Sequence, residues 1–288
     1  MKRHVTQIIA NDTQMVANAT KEYLRRSVCY LRKFVFKYFS LIIFFTLTGC
    51  ITEYNLATRQ QETLLYGREK EISIGESVAH KIAEKYEFVH DEEINERVEQ
   101  ILDRLVEVCD RKELIYFIKV IDEDIMNAVS LPGGYIYLYR GLIDRVDSDD
   151  QLAGVIAHEI AHITAKHGVK RLQAFYGAMA LQVLAAETDG NLAMGVNLAL
   201  NSLFTEHSQH DEFQADELAV KYMKKAGYDP QAMVIFLEKL REEQEKYPTR
   251  KYSYWRTHPY IAQRIGIVNK EITGQIDFRG YLNLTGNE

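Results

Sequence analysis

Three side chains within five residues, His158, Glu159 and His162, have the types and spacing for hydrolytic chemistry. They lie between Leu152 and His167, a stretch with apolar residues at Leu152, Val155, Ile156, Ile160 and Ile163 and no proline, which predicts a helix. Four residues apart, the two imidazoles leave one helix face a single turn apart. So placed, they can bind one zinc ion. Glu159 follows about 100° further round the helix. There it can take the proton of an attacking water that the ion has made more acidic. His167 falls on the same predicted helix, but its spacing does not extend the pair, and it reads as a polar residue behind the site.

A catalytic zinc takes three protein ligands and keeps one position open. Glu212 and Asp216, four apart, share a face of a helix predicted from Ser208, with Phe213, Leu218, Ala219 and Tyr222 as its apolar positions. One carboxylate would serve the ion and the other would hold an imidazole by its second nitrogen. The same pair also suits a charged, solvated face, and this segment alone leaves both readings open. Gly227 ends that helix, Asp229-Pro230 opens the next through about Glu245, and Thr257-His258-Pro259, with Arg264 beyond, begins a short terminal helix.

Upstream, Thr63 caps a helix running to about Tyr86. A second helix runs from Asp91 to Val108, with Ile94, Val98, Ile101, Leu102 and Leu105 in one stripe. Glu113 to Ile121 predicts a strand. Pro132-Gly133-Gly134 is a turn signal, followed by a strand from Tyr135 to Tyr139. That strand, beginning at Gly134 and Tyr135, is either part of a plain hairpin or the border of a cleft that pairs with an extended peptide through main-chain hydrogen bonds. Asp149 and Asp150 suit the N-terminal dipole of the histidine helix. Residues 173–204 are small and apolar and predict two packed helices, as core, as a lid, or as a lipid-facing surface.

The first 49 residues carry eight Lys/Arg and two Asp/Glu, so the remainder of this −6 chain has a net charge of −12. Such an acidic body speaks against nucleic acid as a partner. Residues 38–48 form an apolar run too short for a bilayer span of about 20 residues and of signal-peptide length. Leu47-Thr48-Gly49-Cys50 resembles the lipobox of bacterial lipoproteins. The resemblance implies that Cys50 is diacylated, becomes the N-terminus and anchors the protein to a membrane. With Ile51 rather than Asp next, it implies the outer membrane, facing the periplasm. Translation starting at Met15 would shorten the long basic region. The expected organisation is a leader over 1–49, a polar tether over 50–62 and one domain over 63–288. With Cys29 removed and Cys50 lipidated, only Cys109 is left, so no internal disulfide is expected.

Four blocks together resemble the gluzincin metallopeptidases of the HtpX, BepA and CAAX-prenyl-protease type. They are Asn127-Ala128 with Pro132-Gly133-Gly134 and Gly141-Leu142; His158-Glu159-Ile160-Ala161-His162; Glu212 with Ala215-Asp216; and Thr257-His258-Pro259 with Arg264-Ile265. The resemblance spans roughly residues 60–270. It implies an α+β, mostly helical zincin-like domain with a small sheet bordering the cleft, and one zinc ion per chain. His158, His162 and Glu212 would be the ligands and Glu159 the general base. Asp216 would orient a ligand, Asn127 would meet substrate at the cleft edge, and His258 would stabilise the oxyanion or cap the metal. One departure, Gln209 where the family often has Arg, removes a supporting ion pair. The sequence also ends soon after the His-Pro block, which speaks against docking through a helical-repeat tail. The implied activity is a membrane-anchored zinc endopeptidase acting on misfolded or unassembled envelope proteins in quality control. The alternative is a lipid-anchored chaperone or binding factor with little or gated proteolysis. A structural zinc site would fill all four positions with Cys and His and leave Glu159 without a purpose.

Overall fold

A helix that is apolar all round can only sit in the middle of a fold. In the computed structural model, which describes residues 25, 32, 51–175, 207–250 and 253–275, the histidine helix is such an element. The described elements are β1 (Ile51–Asn55), β2 (Gln60–Leu64), α1 (Arg68–Lys85), α2 (Glu92–Val106), β3 (Phe117–Ile121), β4 (Ala128–Leu131), β5 (Tyr135–Tyr139), α3 (Arg140–Ile143), α4 (Asp149–Thr164), α5 (Gln209–Ala226), α6 (Gln231–Lys246), α7 (Tyr254–Thr257) and α8 (Ile261–Thr273). The fold is α+β, mainly helical with small sheets. Cys50, the basic leader and most of the apolar 173–204 segment lie outside the described residues.

Every residue of α4 from Gln151 to Thr164 is buried. Ser148 caps the helix by accepting from the Gln151 backbone N–H, and Asp149 and Asp150 occupy the first turn, where acids suit the dipole. Helices α2, α5 and α6 and strand β4 pack around it. Gly154 allows α6 to come close, since a Cβ there would stand 3.3 Å from that of Met233. Helix α2 buries Val98, Ile101, Leu102 and Leu105 of the expected stripe and is capped by Asp91.

The three-stranded sheet has the order β3-β5-β4, with β3 parallel and β4 antiparallel to β5. Gly133 and Gly134, at φ 82° and 102°, make the β4–β5 turn. This corrects the expectation for the Tyr135–Tyr139 strand. It is the middle strand, hydrogen-bonded on both sides, so it has no edge to offer a peptide; among the described strands β3 and β4 are the edges. The strand expected from Glu113 begins only at Phe117.

The polar stretch expected as a tether is a hairpin instead. β1 and β2 pair antiparallel, Ile51 opposite Leu64 through Asn55 opposite Gln60. Asn55, Glu53 and Glu62 are engaged by the end of α4. Asn55 donates to the Thr164 carbonyl and to Glu62, while Glu62 pairs with Lys170 and Glu53 with Lys166. Thr63 therefore belongs to β2, and α1 starts at Arg68 after Gly67. The terminal region also differs. Thr257 closes α7, and α8 begins past the His-Pro pair.

Helix α1 lies directly on the β4–β5 turn. A Cβ on Gly75 would fall 1.9 Å from the Pro132 carbonyl oxygen, whereas one on Gly266 meets nothing within 4 Å. Forcing atoms into a packed contact costs about 1–3 kcal/mol, and a helix-interior Gly→Ala gains about 0.5–1 kcal/mol where space allows. Thermal denaturation should show Gly75→Ala with a lowered midpoint and Gly266→Ala with an unchanged or raised one.

Candidate active site

The three elements that converge on one point are α4, α5 and the turn after α7. Helix α4 supplies His158 and His162 on one face, and α5 turns Glu212 and Asp216 inward with its apolar residues. Both carboxylates have zero exposure, so the solvated-face reading of this pair fails. Burying them is possible because Arg264 of α8 reaches in. Its guanidinium holds Asp216 through two hydrogen bonds of 2.8 and 2.9 Å and lies 2.9 Å from Glu212 Oε2. That second contact is close but out of line for a hydrogen bond, so Oε2 has a compensating charge and no donor among the described residues.

The outer partners fix the imidazoles. Asp216 Oδ1 lies 2.9 Å and Arg264 Nη2 3.2 Å from His158 Nδ1; the ring is held at that nitrogen, and Nε2 faces inward. For His162 the argument runs through His167. Gln214 Oε1 accepts at 3.0 Å from His167 Nε2–H. Burial pushes the His167 pKa down to about 4, so the ring is neutral and its Nδ1 must be an acceptor. His162 Nδ1, 2.8 Å away, is then the donor. Both Nε2 atoms thus meet at 3.0 Å, with Glu212 oxygens 3.4 and 3.5 Å from them.

Lone pairs and a carboxylate gathered in this way repel unless a cation sits among them. A proton can answer part of that repulsion. Burial and Arg264 push His158 down, but hydrogen bonds to Asp216 and Glu212 outweigh them and hold its pKa at about 9. Burial likewise drives His162 well below its usual range. Burial would lift Glu212, yet His258 and Arg264 hold it well below the ordinary carboxylate range. His158, His162, Glu212 and His258 offer donor atoms all within 4.8 Å of one another. Imidazole nitrogen and carboxylate oxygen are the donors zinc favours, so the donor set and the orphaned Glu212 oxygen fit that ion.

Glu159 lies on the adjoining face. Ser130 of β4 donates to its Oε2 at 2.7 Å, and Tyr254 to its Oε1 at 3.5 Å. Burial and the Glu159 charge raise the Tyr254 pKa far above its usual value, so the phenol keeps its proton. His258 stands between the two carboxylates, with Nδ1 3.1 Å from Glu212 and Nε2 3.4 Å from Glu159. The Tyr254 ring stacks on it at 4.2 Å. Beside Tyr254, Trp255 is buried, and its indole N–H finds no acceptor among the described residues.

Asn127 is buried at the head of β4, where its Oδ1 accepts from the Ala128 backbone N–H and from Thr257. Gly134 and Tyr135 do not join the cluster. The Gly134 carbonyl accepts from Phe117, and the Tyr135 ring stacks on Phe117 at 5.0 Å. Sequence reasoning missed Ser130, Tyr254 and His207, whose ring lies 3.9 Å from His162 and bonds to Arg171. Nothing in their spacing marks them, because tertiary packing alone brings them in. His167 was expected on the same helix as the ligands. Lys166, at φ 58°, ends that helix and turns the chain so that His167 comes back beneath His162.

The tautomer argument has a direct test. A Gln at 167 could still accept from His162 Nδ1–H, whereas a Leu could not. In a competition with a chromogenic chelator, His167→Gln should keep most of the zinc affinity and His167→Leu should lose about 10–100-fold. Equal affinities in the two variants would remove His167 from this role.

The sequence model described as Peptidase family M48 matches residues 92–272. The beta-barrel assembly-enhancing protease of Escherichia coli (strain K12) is 27% identical over 222 residues, 73% of this chain and 45% of that protein. Mitochondrial metalloendopeptidase OMA1 of Schizosaccharomyces pombe is 29% identical over 170 residues, 58% of this chain and 50% of that one. Metalloprotease LoiP of Escherichia coli (strain K12) is 30% identical over 145 residues, 48% and 56% of the two chains. The chain thus spans about half the length of the curated relatives it matches.

Proposed function

The chain belongs to peptidase family M48 and so carries a zinc-metallopeptidase domain, and from that premise we propose that it is an endopeptidase that cleaves misfolded or unassembled proteins of the bacterial envelope. The observation that carries the reading is the meeting of His158, His162 and Glu212 at one buried point, with Glu159 beside it. The similarity to a beta-barrel assembly-enhancing protease supports envelope proteins as the substrate class. Lipid anchoring through Cys50 and an outer-membrane location facing the periplasm complete the proposal.

His158, His162 and Glu212 hold the zinc in this scheme, and Asp216 and His167 fix the two imidazoles. Zinc, when bound, makes water more acidic and draws charge from a carbonyl oxygen. The chain supplies the rest. An extended substrate adds to β4, an edge among the described strands and the one that carries Ser130, which fixes its carbonyls without reading its sequence. Asn127 stiffens the head of that strand. Glu159, held by Ser130 of the same strand, takes the proton of the attacking water and passes it to the leaving nitrogen. His258 sits within the donor set, which favours the capping role over the oxyanion role.

Glu159→Gln should retain a full zinc complement in elemental analysis and lose about 10²–10⁴-fold in casein hydrolysis; expressed in cells, it should hold envelope polypeptides that mass spectrometry can identify. Unimpaired hydrolysis would end the proposed role of this side chain. His258→Ala should raise basal casein cleavage as the cap is removed; a fall would instead assign it to the transition state.

A further inference from the structure

The replacement of the expected tether by a hairpin has a geometric consequence. The folded unit begins at Ile51, and Ile51 is already the first residue of β1. An acyl chain on Cys50 would therefore be joined to the domain without a spacer. What the hairpin turns outward fits this. Along the register, Thr52 faces Thr63 and Tyr54 faces Gln61, and all four are exposed and uncharged. Around them Ile51, Tyr54, Leu56 and Leu65 are 43, 58, 65 and 38% exposed. The carboxylates of the hairpin are drawn the other way, Glu53 to Lys166 and Glu62 to Lys170. The one charge at its tip is cationic, Arg59, exposed in the β1–β2 turn. On a body of net charge −12 after residue 49, this face carries no outward carboxylate for an anionic lipid surface to repel.

We propose that the β1–β2 hairpin is a membrane-docking surface, with Tyr54, Leu56 and Leu65 seated at the headgroup level of the bilayer. The proposal rests on the reading of Cys50 as lipidated. Tyrosine and large aliphatic side chains with few charges are the composition that settles in the interface. Each side chain adds little, but the anchor makes the contact intramolecular, so weak burial suffices. The domain then lies on the membrane in one orientation rather than swinging from it.

The full-length protein, purified from membranes and reconstituted into phosphatidylethanolamine–phosphatidylglycerol vesicles, allows the test. Cys109 is buried, so a bimane fluorophore goes to an introduced thiol at Tyr54→Cys or Leu56→Cys, with Ile235→Cys on α6, 47% exposed, as control. A label seated about 5–10 Å into the interface should lose about half its emission to nitroxide-bearing lipids and resist aqueous iodide; the control should do the reverse. Mass spectrometry of the N-terminal peptide separates the two layers of the argument. An unacylated Cys50 overturns the anchor and the docking together. An acylated Cys50 with hairpin labels as open to iodide as Ile235→Cys overturns the docking alone. Labels shielded from both quenchers overturn it too, by showing protein rather than lipid over the hairpin.

Discussion

Excess negative charge in a space without water is the constraint on which this structure turns. Glu159, Glu212 and Asp216 have no exposure, and Arg264 is the guanidinium buried among them. The three carboxylates outnumber that guanidinium, and the rest of their charge falls to a cation, the proton held on His158 or a metal ion in its place. A buried pair is stable only when geometry and additional hydrogen bonds offset its desolvation. Here the bidentate hold of Arg264 on Asp216 supplies that for one carboxylate. Glu212 is left poised for an ion, with one oxygen lacking a donor among the described residues. Helix α5 packs against both α4 and α8 around this cluster.

Much of this was legible from residue types and spacing. An i, i+4 histidine pair on an apolar helix is a local pattern, and local geometry alone puts both rings on one face. The α2 stripe and the Pro-Gly-Gly turn are local in the same sense. The Glu212–Asp216 pair was ambiguous because its decisive partner, Arg264, lies 48 residues from Asp216 in sequence. A charged face is read as solvated until something distant neutralises it. Ser130 and Tyr254 were invisible for the same reason. His167 was misplaced because a non-glycine residue at positive φ is uncommon, and Lys166 gives no sequence sign of adopting one.

Two of the structural corrections, the hairpin and the middle strand, share a cause. Strands were judged by their own side chains, whereas a strand's place in a sheet depends on its neighbours. Residues 51–62 are polar enough to pass for a linker, yet their polarity is directed at the end of α4, where carbonyl and ammonium groups need partners. The Tyr135–Tyr139 strand has the composition expected at a cleft border. Its near-continuous burial instead reflects a central position, hydrogen-bonded on both sides. Edge and centre are properties of topology, and alternation along one strand does not encode them.

Trp255 is the only tryptophan in the chain, and it sits in the four-residue helical turn that ends at His258. Its neighbour Tyr254 stacks on His258 and reaches Glu159. Any displacement of that turn, whether by an ion entering, a peptide arriving or the histidine swinging aside, changes the surroundings of a single indole. The protein thus contains its own optical gauge of the catalytic pocket, readable as emission wavelength in the unlabelled, unmutated chain.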